Sequence, residues 1–156
     1  METKIAVIGL GYVGLPLALE FAKTFEVVGF DINSERVDQM KRQEDPSKEI
    51  PSSDFENRSI VFTDNAEDIK YCNLYIVAVP TPIGFGGTPN LIPLLSASRT
   101  VGSVISKGDC VVFESTVYPG CTEDDCIPII EAESTLHRTK DFSFGYSPER
   151  INPGEI

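Results

Sequence analysis

Short, almost unbroken apolar runs alternate along this chain with segments whose apolar residues recur at helical spacing. The runs are Ile5–Ile8, Glu26–Asp31, Ser59–Thr63, Leu74–Val79, Cys110–Glu114 and Phe142–Tyr146. At four to six residues each they are too short for helices, and their continuity marks strands covered on both faces, as in a parallel sheet. After the first run, Leu15, Leu17, Ala18, Phe21 and Ala22 form one stripe, which predicts an amphipathic helix from Tyr12 to Lys23. Further helices are expected over Glu35–Arg42, behind Asn33 and Ser34 as caps, over the acidic stretch Asn65–Tyr71, over Ile92–Ser106 and over Thr122–Glu133. Pro128 should kink or shorten the last of these. Six rounds of strand and helix predict one α/β domain, a doubly wound parallel sheet with strand order 3-2-1-4-5-6. Right-handed crossovers then bring the carboxyl ends of strands one, four, five and six to one rim.

The connections are uneven. Gln43–Arg58, with its Asp-Pro-Ser and Pro-Ser-Ser stretches, reads as a surface excursion that adds little to the core. Pro80-Thr81-Pro82 stops both helix and sheet just past the fourth strand and presents a rigid loop at the edge where open α/β sheets bind ligands. Ile83–Asn90, containing Gly84, Gly86 and Gly87, reads as a flexible neighbour of that loop, and Ser115–Gly120 lies past the fifth strand.

One connection carries specific chemistry. Gly9-Leu10-Gly11-Tyr12-Val13-Gly14 breaks the first strand into a helix. Gly9 suits the tight turn, Gly11 lets the backbone approach a pyrophosphate, and Gly14 lets helix and strand pack closely. Phosphates would rest on the free N–H groups and positive dipole end of the helix. Asp31 ends the second strand 22 positions after Gly9, close to the roughly 20 expected of an acid that binds the adenosine ribose. These residues form a dinucleotide-binding (Rossmann) opening. Asp31 favours NAD over NADP, because a carboxylate accepts from the 2′-hydroxyl and repels a 2′-phosphate. Arg36 is either a solvated helix charge or a guanidinium over the adenosine end. Thr81 is a candidate cofactor contact, with ordinary turn chemistry as the alternative.

Composition narrows the picture further. The 156 residues suffice for one domain with a full core and fall short of two ordinary ones. No apolar run is long enough to span a bilayer, and the first apolar segment lacks a secretory cleavage pattern, so a cytoplasmic protein is expected. A net charge of −11 argues against nucleic acid and anionic lipid as partners, so an anionic ligand must be held by local groups. Cys72, Cys110, Cys121 and Cys126 form no C-x-x-C pair, and His137 is the only histidine, in a polar run. Neither a metal site nor a disulfide framework is indicated.

Four motifs carry a family resemblance that spans nearly the whole chain: Gly9-Leu10-Gly11-Tyr12-Val13-Gly14-Leu15-Pro16, Val79-Pro80-Thr81-Pro82, Glu114-Ser115-Thr116-Val117-Tyr118-Pro119-Gly120, and Gly145-Tyr146-Ser147-Pro148-Glu149-Arg150-Ile151-Asn152-Pro153-Gly154. Together they resemble the amino-terminal domain of the UDP-glucose/GDP-mannose dehydrogenase family, and the last is most similar to the branch that oxidises UDP-N-acetylhexosamines for bacterial surface polysaccharides. The resemblance implies oxidation of a sugar C6 alcohol to a carboxylate with two NAD molecules, in a larger enzyme expected to be a homo-oligomer. It implies that Tyr12 and Val13 hold the pyrophosphate through backbone N–H groups, Asp31 the ribose and Arg36 the adenosine side. Thr81 and Thr116 would line the pyrophosphate and nicotinamide end. Glu149 would position or activate water beside the reacting carbon, with Thr116 as its catalytic companion, and Arg150 and Ile151 would touch the nucleotide sugar. The nucleophilic cysteine of the family is expected in central helical and carboxyl-terminal regions outside this chain, so Cys121 and Cys126 are not assigned that role. Cys121 stands where threonine is usual, and Asn90 where aspartate is common. Two other readings remain: a non-catalytic dinucleotide-binding or sensing module, and a dehydrogenase of small hydroxy acids.

Overall fold

The computed structural model describes residues 1–148. Glu149, Arg150 and Ile151 lie outside the described residues. Six parallel strands, β1 (Lys4–Ile8), β2 (Glu26–Phe30), β3 (Ile60–Thr63), β4 (Leu74–Val77), β5 (Cys110–Phe113) and β6 (Ser143–Tyr146), form one sheet in the order β3-β2-β1-β4-β5-β6. This is the expected doubly wound arrangement. The chain winds outward from β1 through β2 and β3, then returns to lay β4, β5 and β6 on the other side. The crevice between the two directions opens at the carboxyl ends of β1 and β4.

Alternate side chains of each strand feed separate cores on the two faces. Ile5 and Val7 join Leu15, Ala18 and Leu19 of α1 (Gly14–Phe21) and Val37 and Met40 of α2 (Ser34–Lys41). Ala6 and Ile8 join Leu94, Ala97 and Val101 of α3 (Ile92–Val104) and Ile127 and Ile130 of α4 (Ile127–Ser134). All of these are buried.

Three local expectations need correction. The excursion after α2 does reach the core: a short 3₁₀ turn at Ser52–Phe55 buries Phe55 against Phe62, with ring centroids 6.1 Å apart. One aromatic in a polar run has no period, so pattern reading passes over it. Asn65–Tyr71 forms only a 3₁₀ turn, Ala66–Ile69, capped by Asn65. The helix expected from Thr122 begins as a wide π-helical turn, Thr122–Cys126, and becomes α-helical at Ile127. Pro128 is the reason: it lacks the N–H that a continuous α-helix would send to residue 124, so it sits in the first turn of α4, where that donor is not needed.

Candidate dinucleotide-binding site

The glycine turn is built by close approach. Gly9 has φ +92° and donates its N–H to Phe30 O at 2.9 Å, which ties the end of β1 to the end of β2. A Cβ on Gly14 would lie 1.7 Å from Gly9 O, so α1 can start against the strand only because that atom is missing. The helical ladder opens with Leu15 N–H to Gly11 O at 3.0 Å, and the N–H groups of Tyr12, Val13 and Gly14 therefore precede it, at the positive end of α1.

Gly11 differs from its neighbours. Its φ is not positive, and among the described residues a Cβ there would meet only the Arg36 guanidinium, at 3.7 Å, an ordinary contact. Nothing among the described residues demands glycine at this position. What a methyl group would obstruct is the open space above the turn.

Asp31 lies beside that space, half-buried, with each carboxylate oxygen engaged once: Leu10 N–H donates to Oδ2 at 3.0 Å and Asn33 N–H to Oδ1 at 2.9 Å. The carboxylate is thus fixed between the glycine turn and the cap of α2, where Asn33 Oδ1 accepts from Arg36 N–H. Each oxygen retains acceptor capacity for a ligand diol. Arg36 reaches back from α2 and donates from Nη1 to Leu10 O at 3.1 Å. Its guanidinium therefore lies across the glycine turn, with further N–H donors available to an anion or a ribose.

On the opposite wall, the loops after β4 and β5 are laced together. Thr81 Oγ1 donates to Thr116 O at 2.9 Å, and buried Ser115 donates from Oγ to Val79 O at 2.7 Å. These walls enclose a cleft of about 990 Å³ that runs from the glycine turn, Asp31 and Arg36 across to Thr81 and Thr116. The predicted cofactor residues Gly9, Gly11, Tyr12 and Val13 line it, while Gly14 is buried at the start of α1.

The cleft also has walls that pattern reading missed. Ser96 and Thr100 of α3 line it, and their i, i+4 spacing, which puts both on one face of that helix, is the signal that was available. Asp45 and Ser47 line it too. Burial alone would push Asp45 up, but hydrogen bonds from Ser47 Oγ and from the N–H groups of Ser47, Glu49 and Ile50 outweigh it and hold the carboxyl below its usual value. The Asp-Pro-Ser segment is therefore a built turn against the site rather than a free excursion.

None of the four cysteines lines the cleft, and all are free thiols. Burial pushes Cys126 up to about 12 and Cys72 up to about 11, and it also raises Cys121. Such thiols are small core hydrophobes rather than nucleophiles. His137 is exposed, as expected.

Comparison with known proteins decides the family. The profile described as "UDP-glucose/GDP-mannose dehydrogenase family, NAD binding domain" matches residues 3–156. The chain belongs to this family. It is 54% identical over 155 residues to UDP-N-acetyl-D-glucosamine 6-dehydrogenase of Salmonella typhi, covering 99% of this chain and 36% of that protein. It is 52% identical over 155 residues to Protein CapL of Staphylococcus aureus, covering 99% of this chain and 37% of that protein. Among solved structures, UDP-D-ManNAc dehydrogenase of Pyrococcus horikoshii superposes with a TM-score of 0.87 at 36% identity, over 97% of this chain and 37% of that one. The chain thus spans somewhat over a third of the length of these relatives.

The cofactor of this domain is NAD. The geometry fits it: among the described residues only Arg36 comes near where a Gly11 Cβ would be, Tyr12 and Val13 at the start of α1 line the cleft, and the Asp31 carboxylate accepts from Leu10 N–H of the glycine turn. Among the described residues no helix is long and apolar enough to cross a membrane.

Proposed function

We propose that this chain is the amino-terminal, NAD-binding part of a nucleotide-sugar 6-dehydrogenase that converts the C6 alcohol of a UDP-N-acetylhexosamine to a carboxylate, for surface polysaccharide synthesis in the cytoplasm. The observation that carries this reading is the continuity of one cleft from the glycine turn through Asp31 and Arg36 to Thr116, in a chain 54% identical to a UDP-N-acetyl-D-glucosamine 6-dehydrogenase. Oxidation of an alcohol to an acid removes two hydrides and adds one water oxygen, so each sugar reduces two NAD.

In this reading Tyr12 and Val13 offer their N–H groups to the pyrophosphate. Asp31 accepts from the adenosine ribose diol, and Arg36 covers the same end. Thr81 and Thr116 line the nicotinamide side. Glu149, beyond the described residues, holds the water that completes the acid, and Arg150 and Ile151 contact the sugar nucleotide. The nucleophile and the rest of the sugar pocket lie in central helical and carboxyl-terminal domains of the parent enzyme, which acts as a homo-oligomer.

Titration calorimetry of this chain with NAD and NADP tests the cofactor half. Selective binding of NAD is expected, weakened about 10- to 100-fold in Asp31→Ala, the loss associated with hydrogen bonds to a charged group. Equal binding of NADP, or full affinity in the variant, would refute the assignment of Asp31. For the parent enzyme, two NADH formed per UDP-N-acetylglucosamine is expected, and absence of turnover with every UDP-N-acetylhexosamine would overturn the substrate class.

A further inference from the structure

The loop after β5 is held in an unusual way. Thr81 Oγ1 donates to Thr116 O at 2.9 Å, and the N–H of Val117 donates to Tyr146 Oη at 3.3 Å. The Thr116 carbonyl and the Val117 N–H are the two ends of one peptide group. That single plane is therefore gripped from both sides, by a side chain from the end of β4 and by another from the end of β6. The residue before it is fixed as well, through the bond from Ser115 Oγ to Val79 O.

The strand register explains why Tyr146 is the residue that reaches. Phe113 pairs with Tyr146, and Ser147 N–H donates to Phe113 O at 2.9 Å, so β5 and β6 remain side by side up to the rim. Beyond it, the β5 chain turns over the end of β6 and passes the Tyr146 hydroxyl. Thr116 itself is exposed to the cleft and makes no part of the sheet. A free peptide plane in such a loop could rotate and turn the Thr116 side chain away from the cleft, because the two neighbouring dihedrals are soft.

We propose that Thr81 and Tyr146 are positioning residues: by clamping the Thr116–Val117 peptide they aim Thr116 at the nicotinamide end of the dinucleotide. This rests on the cofactor-binding reading given above. It assigns Tyr146 a function that nothing in its position at the end of a strand would suggest, and it makes the Thr81 hydroxyl act chiefly through Thr116. Each hydrogen bond is solvent-exposed in the free protein, so each contributes little to folding. Their effect is felt when a ligand needs one orientation of the loop.

The test uses this chain with Tyr146→Phe and Thr81→Val, each removing a hydroxyl with little change of shape, alone and in a Thr116→Val background. NAD is compared with ADP-ribose, which lacks the nicotinamide ring. Tyr146→Phe should weaken NAD binding by about two- to tenfold, the range of one neutral hydrogen bond, and leave ADP-ribose binding unchanged. In the Thr116→Val background the same substitution should have no further effect. Amide exchange at Val117 should speed up in Tyr146→Phe. Equal losses for the two ligands, or a full effect without the Thr116 hydroxyl, would overturn the proposal. Failure of the folded wild-type chain to bind either ligand would instead reject the cofactor-site reading. The clamp is then judged by Val117 exchange alone, and unchanged protection in Tyr146→Phe refutes it.

Discussion

Gly11 and Gly14, three residues apart in the same motif, answer different demands, and substitution separates them. At Gly14 a methyl group would fall 1.7 Å from Gly9 O, a backbone atom that cannot move without unseating β1 from α1. Gly14→Ala should therefore destabilise the fold by on the order of 3 kcal/mol, the upper range for overpacking. That corresponds to a fall in Tm of roughly 6–12 °C for a chain of this size. At Gly11 a methyl group meets, among the described residues, only the Arg36 guanidinium at 3.7 Å, and the backbone conformation is open to any residue. Gly11→Ala should leave stability within about 1 kcal/mol of the parent while NAD affinity falls more than about tenfold. Thermal melts and calorimetry on the two variants give this contrast directly. Wild-type affinity in Gly11→Ala would mean that the diphosphate lies elsewhere.

At the scale of elements, the lie of β6 decides whether Tyr146 stands under the Thr116 loop, and β6 is set by the connection from α4. There Arg138 donates to both carboxylate oxygens of Glu131, at 3.1 and 2.9 Å, and to Glu123 O at 3.0 Å. The Arg138 side chain, followed by its backbone N–H, lowers the Glu131 carboxyl to about 2. A carboxyl lowered by folding adds stability above its unfolded value, near 4.3, and that contribution disappears as pH falls toward about 2. Arg138→Gln should thus lower the urea midpoint at neutral pH, and the gap from the parent should close between about pH 4.3 and pH 2. A gap that stays constant with pH would trace the loss to packing of the arginine stem instead. Both side chains are partly exposed, which keeps the expected effect modest.

The same scale shows what could be read from the chain and what could not. Buried strands, the winding order and the Gly9–Asp31 spacing were legible, because each follows from a local pattern with one physical meaning. Phe55, the turn of Asp45 and Ser47, and the Tyr146 clamp were not. Phe55 is a single aromatic with no period around it, the lie of the Asp45 turn against the cleft is set by the fold and not by its own local hydrogen bonds, and the clamp joins residues of two different strand ends. The π-helical turn was half legible: Pro128 announced a break, but whether a helix ends, kinks or widens is settled by the packing of Cys126 and Ile127, both fully buried.

For the whole molecule, the electrostatics pose a problem that the site solves locally. The chain carries a net charge of −11, and among the described residues lining the cleft Arg36 is the one basic side chain, against Asp31, Asp45 and Glu114. A diphosphate must then be held by backbone N–H groups and the start of α1, at contact distance, while the rest of the protein repels it from afar. Salt acts unequally on these two fields. Beyond a Debye length of about 8 Å at physiological ionic strength the repulsion is largely screened, whereas hydrogen bonds at contact are little affected. Affinity for NAD should therefore hold steady or rise when NaCl is increased from about 20 mM to about 300 mM, as followed by calorimetry. A site that neutralised phosphates with several lysines or arginines would weaken with salt instead. A marked fall in affinity would show that basic side chains reach the diphosphate after all. Since the described cleft offers only Arg36, Arg150 would then be the next residue to substitute.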